Sequence, residues 1–135
     1  MPRAKNIFLA TESPQIASII TSKMERDGFQ VHSSSNGLET FKSILAESPL
    51  LVVLDSILPD LNAYEILQKL RANPGTHELP VFILLDAMQE RTQEEFMGIG
   101  ADFVFIKPFR PTNLSKKIRK TLAGIEARRT ESILR

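Results

Sequence analysis

Five short apolar runs, each followed by a segment of helical period, most constrain what this chain can fold into. The runs are residues 6–10 (NIFLA), 29–33 (FQVHS), 50–54 (LLVVL), 81–85 (VFILL) and 102–106 (DFVFI). Between them, Ile16, Ile19, Ile20 and Met24 recur at the spacing of one helix face; Leu38, Phe41, Ile44 and Leu45 form a second stripe, and Ala63, Ile66, Leu67 and Leu70 a third. A fourth helix, around residues 92–99, is anchored only by Phe96 and Ile99. A fifth starts near Thr112 and turns Leu114, Ile118, Leu122 and Ile125 inward. The third and fourth runs are apolar on both faces, as a strand must be when helices cover both sides of a parallel sheet. Alternating strands and helices with right-handed crossovers then predict an α/β fold, a three-layer sandwich.

The punctuation agrees. Ser13 before Pro14 is a helix cap with proline in the first turn, Gly28 and Gly100 close helices, and NPGTHELP reads as a loop. A chain of 135 residues is one domain, long enough to bury roughly two thirds of its unfolded surface without staples.

Composition then removes several chemistries. With no cysteine there are no disulfides, thiolate metal sites or cysteine nucleophiles, which fits a reducing compartment. No apolar run approaches the ~20 residues of a bilayer span, and MPRAKNIFLATESP lacks the apolar stretch of a secretory signal, so a cytoplasmic protein without a membrane partner is expected. The basic residues Lys107, Arg110, Lys116, Lys117, Arg119 and Lys120 have no acid among them, but no aromatics interleave to stack bases. They read as the solvated face of the fifth helix, not as a nucleic-acid surface. His32 and His77 lack partners at ligand spacing and are not read as metal ligands, and Tyr64 is read as packing.

The run LLVVL ends on Asp55. A carboxylate stranded in an apolar interior is costly enough to be driven to its neutral form, so Asp55 is placed at the open, carboxyl end of its strand. Ligands of doubly wound sheets bind at that end. Glu12 after the first strand and Lys107 after the fifth lie at the same rim, giving a polar cluster of Glu12, Asp55 and Lys107. Hard oxygen ligands suit Mg²⁺, and an ammonium beside them suits a phosphoryl group; a purely structural ion pair is the alternative.

With these residues in view, the chain resembles the receiver domain of two-component response regulators. The resemblance rests on VVLDSILPD, on GAD at residues 100–102, on KPF at 107–109 and on ESP opening the first helix, and it covers about residues 5–123. It implies the flavodoxin-like receiver fold, a five-stranded parallel sheet in the order 2-1-3-4-5, over residues 1–123, with 124–135 a C-terminal helix extension or linker. It further implies that Asp55 accepts a phosphoryl group from a histidine kinase or phosphotransfer protein, and that Lys107 contacts the phosphoryl oxygens. Glu12, Asp55 and the Ile57 backbone carbonyl would hold Mg²⁺, and the peptide bond between Lys107 and Pro108 would be cis. An output protein would be met through the face of helix 4, strand 5 and helix 5. Helix 5 with its extension is the candidate homodimer surface.

Three positions depart from the family pattern. Thr11 stands where the first of two adjacent acids is usual, Leu85 where a hydroxyl ends strand 4, and Val104 where an aromatic residue on strand 5 reports phosphorylation. Thr11, Glu12, Asp55 and Lys107 sum to a charge of about −1, against about −2 with both acids present. A carboxylate ~6 Å from a dication at an effective dielectric of ~20 contributes at most roughly 5 kcal/mol, so weak Mg²⁺ binding is expected. Leu85 offers no donor to a buried phosphoryl group, and Val104 has no ring to turn. The leading reading is a signalling module, not an enzyme: a phosphoacceptor with altered readout. The alternative is a phosphorylation-independent pseudo-receiver acting as a protein interaction module. A glycine-rich phosphate loop and a GxSxG elbow are both missing.

Overall fold

The computed structural model describes residues 6–88 and 91–134. Its elements alternate strictly: β1 (Asn6–Ala10), α1 (Pro14–Arg26), β2 (Gln30–Ser34), α2 (Gly37–Glu47), β3 (Leu51–Asp55), α3 (Ala63–Ala72), β4 (Val81–Leu85), α4 (Gln93–Gly98), β5 (Phe103–Ile106) and α5 (Pro111–Leu134). The sheet is parallel throughout, in the order β2-β1-β3-β4-β5. Residue alternation along each strand divides the core into two layers. Phe8, Ala10, Val52, Leu54, Ile83 and Leu85 pack with Ile66, Leu67 and Phe96 of α3 and α4. Ile7, Leu9, Leu51, Val53, Phe82 and Leu84 pack with Ile20, Met24, Leu114 and Ile118 of α1 and α5.

Local chemistry sets the helix starts. Ser13 caps α1 by accepting the N–H of Ile16 at 3.2 Å, and Asn36 and Asn62 cap α2 and α3 in the same way. Gly28 (φ 94°) and Gly100 (φ 106°) occupy the left-handed region that ordinary side chains avoid. Beside Gly100, Arg71 donates from Nε and Nη2 to the Gly100 carbonyl, at 3.0 and 2.9 Å, and from Nη2 to Asp102 at 3.1 Å. Asp102 in turn accepts the Val81 N–H at 2.8 Å. The GAD segment thus fastens the start of β4 to the end of α3, which is why β5 begins at Phe103, one residue later than its apolar run suggests.

Other boundaries and faces also differ from the sequence reading. β2 and β3 are each displaced by one residue, so Asp55 is the last residue of its strand and pairs in register with Leu84. Ile19, Leu38 and Leu45 are 51%, 47% and 43% exposed. On α2 the buried face is Gly37, Thr40 and Ile44, because a Cβ on Gly37 would lie 2.0 Å from the Leu61 carbonyl oxygen. That close backbone approach rotates the Leu38 and Leu45 edge outward. At the far side, Asp27 joins α1 to α5. It accepts the Ser115 hydroxyl and pairs with Arg119 at 3.1 Å and Lys23 at 3.4 Å. The Ser115 bond foremost, with the two cations against a cost of burial, lowers its carboxyl to about 2.

Candidate functional site

Asp55 is 2% exposed, yet each carboxylate oxygen has a donor. Lys107 Nζ donates to Oδ1 at 2.7 Å, the Ile57 N–H donates to Oδ1 at 3.2 Å, and the Thr11 hydroxyl donates to Oδ2 at 2.8 Å. Three donors thus compensate the buried carboxylate, the condition under which burial of an acid is tolerated. Lys107 is carried there by β5: its N–H bonds the Leu85 carbonyl at 2.9 Å, and the cis peptide bond to Pro108 follows. Thr11 continues β1 by donating its N–H to the Ser34 carbonyl at 3.0 Å.

The expected cluster of Glu12, Asp55 and Lys107 is thus realised by Asp55 and Lys107 with Thr11 between them and α1. Glu12 is exposed and makes no hydrogen bond or ion pair among the described residues. A second carboxylate placed beside a buried one is repelled unless a cation lies between them, whereas the neutral hydroxyl of Thr11 can donate. Among the described residues no three His, Cys, Asp or Glu side chains group as metal ligands.

Leu85 and Val104 are 6% and 4% exposed and sit in one apolar cluster with Phe96 of α4. Two features escaped the sequence reading. Ser56, buried beside Asp55, accepts the Asp86 N–H at 3.0 Å, tying the β3 loop to the end of β4. Asp60 accepts the Gly37 and Leu38 N–H groups at 2.8 and 3.1 Å and so holds the α2 N-terminus. Desolvation raises the Asp60 carboxyl, but the donors of Leu61, Leu38 and Gly37 together hold it below its usual value. All three bonds join residues far apart in the chain, and no local motif announces them. A groove of about 420 Å³ opens beside Lys107, lined among others by Ile16, Ile19, Asp86, Pro108 and Phe109.

An acid paired with a lysine at the carboxyl rim, on the central strand of a doubly wound parallel sheet, defines a switch-point site of the α/β class. The family model described as the response regulator receiver domain matches residues 7–119, and the chain belongs to that family. It is 26% identical over 129 residues to the transcriptional regulatory protein SrrA of Staphylococcus aureus, covering 96% of this chain and 50% of that relative. The chain therefore spans about half the length of the curated relatives it matches. Among solved structures, the signal receiver domain of a putative Luxo repressor protein from Vibrio parahaemolyticus has a TM-score of 0.85 at 17% identity, covering 95% of this chain and 97% of that one. A CheY-like receiver domain protein from Methanospirillum hungatei JF-1 reaches 0.84 at 22% identity, covering 93% and 99%. These two likenesses establish the fold.

The chain is a response regulator receiver domain of two-component signalling. Such domains are signalling modules that work with histidine kinases and output domains and typically bind Mg²⁺ at the phosphorylation site. No described helix is long and apolar enough to cross a membrane.

Proposed function

We propose that Asp55 is the phosphoacceptor. A carboxylate oxygen of Asp55 attacks the phosphorus of a phosphohistidine on a histidine kinase or phosphotransfer protein. The O–P bond forms as the P–N bond breaks, and the electron pair leaves on the imidazole nitrogen. The observation that carries this reading is the 2.7 Å pairing of Lys107 with the buried Asp55. An ammonium already at the acceptor oxygen neutralises charge on the incoming group, which is most of what a weak nucleophile in phosphoryl transfer requires.

The donors fit Mg²⁺ in kind: the Asp55 carboxylate and the Ile57 carbonyl would hold it, with Glu12 at the exposed rim. Mg²⁺ commonly takes one or two carboxylates and completes its shell with water and phosphate oxygens. When bound it supplies further charge neutralisation. With Thr11 in place of a second buried acid, its affinity is weak. The groove bounded by Ile16, Ile19, Pro108 and Phe109 opens beside Lys107. The pseudo-receiver alternative draws on Thr11, Leu85 and Val104, none of which removes Asp55 or Lys107.

Incubation with Mg²⁺ and a small phosphodonor tests the reading by intact mass. One phosphoryl group should appear on the wild-type chain and be missing from Asp55→Asn. A wild-type mass that never changes at millimolar Mg²⁺ overturns it.

A further inference from the structure

The Thr11 hydroxyl does two things at once. It donates to Asp55 Oδ2 at 2.8 Å, and its oxygen accepts the Ser13 N–H at 3.1 Å. Ser13 is the cap of α1, its own hydroxyl accepting the Ile16 N–H at 3.2 Å. Hydrogen bonds joined through the covalent frame of Ser13 therefore connect the Asp55 carboxylate to the first turn of α1. Toward α4 the Asp86 N–H is tied to Ser56 at 3.0 Å, but among the described residues no hydrogen bond joins the Asp55 carboxylate itself to that side, where Leu85 and Val104, clustered with Phe96, are buried and apolar.

We infer that Thr11 reports the phosphorylation of Asp55 and passes it to the first turn of α1 rather than to α4. This rests on Asp55 being the phosphoacceptor. Transfer turns the carboxylate into an acyl phosphate, so Oδ2 becomes either the carbonyl or the bridging oxygen, and in both cases the negative charge moves to the phosphoryl oxygens. Hydrogen bonds to charged acceptors are about twice as strong as neutral ones, so the single Thr11 proton follows the charge. A β-branched side chain moves between a few staggered wells, and a turn of χ1 carries the hydroxyl oxygen away from the Ser13 N–H. The α1 cap loses a fixed partner, and the Ile16 edge of the groove beside Lys107 changes with it. Thr11 is a positioning residue for this response; the reacting carboxylate is that of Asp55.

Amide NMR spectra with and without beryllofluoride and Mg²⁺ test the assignment on the wild type, Thr11→Val and Thr11→Ser. Wild type and Thr11→Ser should show shifts at Ile57 and Lys107 together with Thr11, Ser13 and Ile16, exceeding those of residues 93–98. Thr11→Val should keep the Ile57 and Lys107 shifts and lose those of Ser13 and Ile16. Retention of the α1 shifts in Thr11→Val, or larger shifts in α4 than in α1, overturns the inference alone. Wild-type spectra without shifts at Ile57 and Lys107 instead overturn the Asp55 reading on which it stands.

Discussion

Asp55 and Lys107 are bound to each other unequally. The Asp55 side chain is only 3% exposed and leans on its partners, whereas the Lys107 side chain is 20% exposed and can turn outward. Removing one member of a fully buried pair costs roughly 3–5 kcal/mol because the survivor is left uncompensated. Thr11 and Ile57 still hold the Asp55 oxygens, so Lys107→Ala should destabilise by about 2 kcal/mol, below that range. Asp55→Asn should cost about 1 kcal/mol or less, since the freed ammonium is solvated. Urea midpoints of the two variants check the order; a larger loss for Asp55→Asn would contradict it. Both residues were legible in the sequence because a charge ending an apolar run has few places to go. Which of Thr11 and Glu12 turns toward Asp55 was not. Adjacent residues at a strand end compete for one inward position, and a partner 44 residues away decides between them.

Helix α2 shows the same dependence one level up. Its first turn lies so close to the β3–α3 loop that a Cβ on Gly37 would meet the Leu61 carbonyl oxygen at 2.0 Å. Glycine to alanine ordinarily favours a helix by about 1 kcal/mol. Here backbone must move to admit the methyl, and overpacking of that kind costs about 1–3 kcal/mol. Gly37→Ala should therefore lower the thermal midpoint, and a rise would show that the loop yields freely. Sequence periodicity placed α2 but misjudged its buried face, since Leu38 looks apolar whereas the glycine two positions before Glu39 sets the contact. The short helix α4 was better written than its apolar pattern suggested. Thr92 and Glu95 form a reciprocal capping box that marks its start, a T-x-x-E signal present in the sequence.

Asp27 carries the joint between α1 and α5, and its carboxyl is lowered from 3.8 to about 2, first by the Ser115 hydroxyl and then by Arg119 and Lys23. A carboxyl depressed in the folded state binds protons more weakly there than when unfolded, so acid favours unfolding. The stability it lends is fully present above pH 3.8 and is lost as pH falls toward 2. Denaturation midpoints measured from pH 5 to pH 2 should fall more steeply for wild type than for Asp27→Asn, with the two curves converging at the acid end. Parallel curves would mean that the three partners do not hold the carboxylate in solution.

For the whole molecule, the alternation of strands and helices was enough to predict the layers, because right-handed crossovers leave few ways to cover a parallel sheet. The strand order was not contained in that pattern and followed from the family resemblance. The far end of the chain obeys different physics. Helix α5 runs without interruption to Leu134, about 36 Å at 1.5 Å per residue, although the family match ends at residue 119. Beyond Ile125 every described residue is exposed, Ile133 and Leu134 at 82% and 81%. A helix that buries nothing there draws its stability from continuity with the packed turns around Leu114 and Ile118, since short isolated helices are marginal in water. Deleting residues 126–135 should leave the thermal midpoint within about 2 °C, because a domain this size shifts by several degrees per kcal/mol and the removed residues contribute little packing. The helical ellipticity per chain should fall by the share those residues hold. A midpoint that drops well beyond this, and that rises with protein concentration only in the full chain, would show instead that the exposed end of α5 is covered by a second copy.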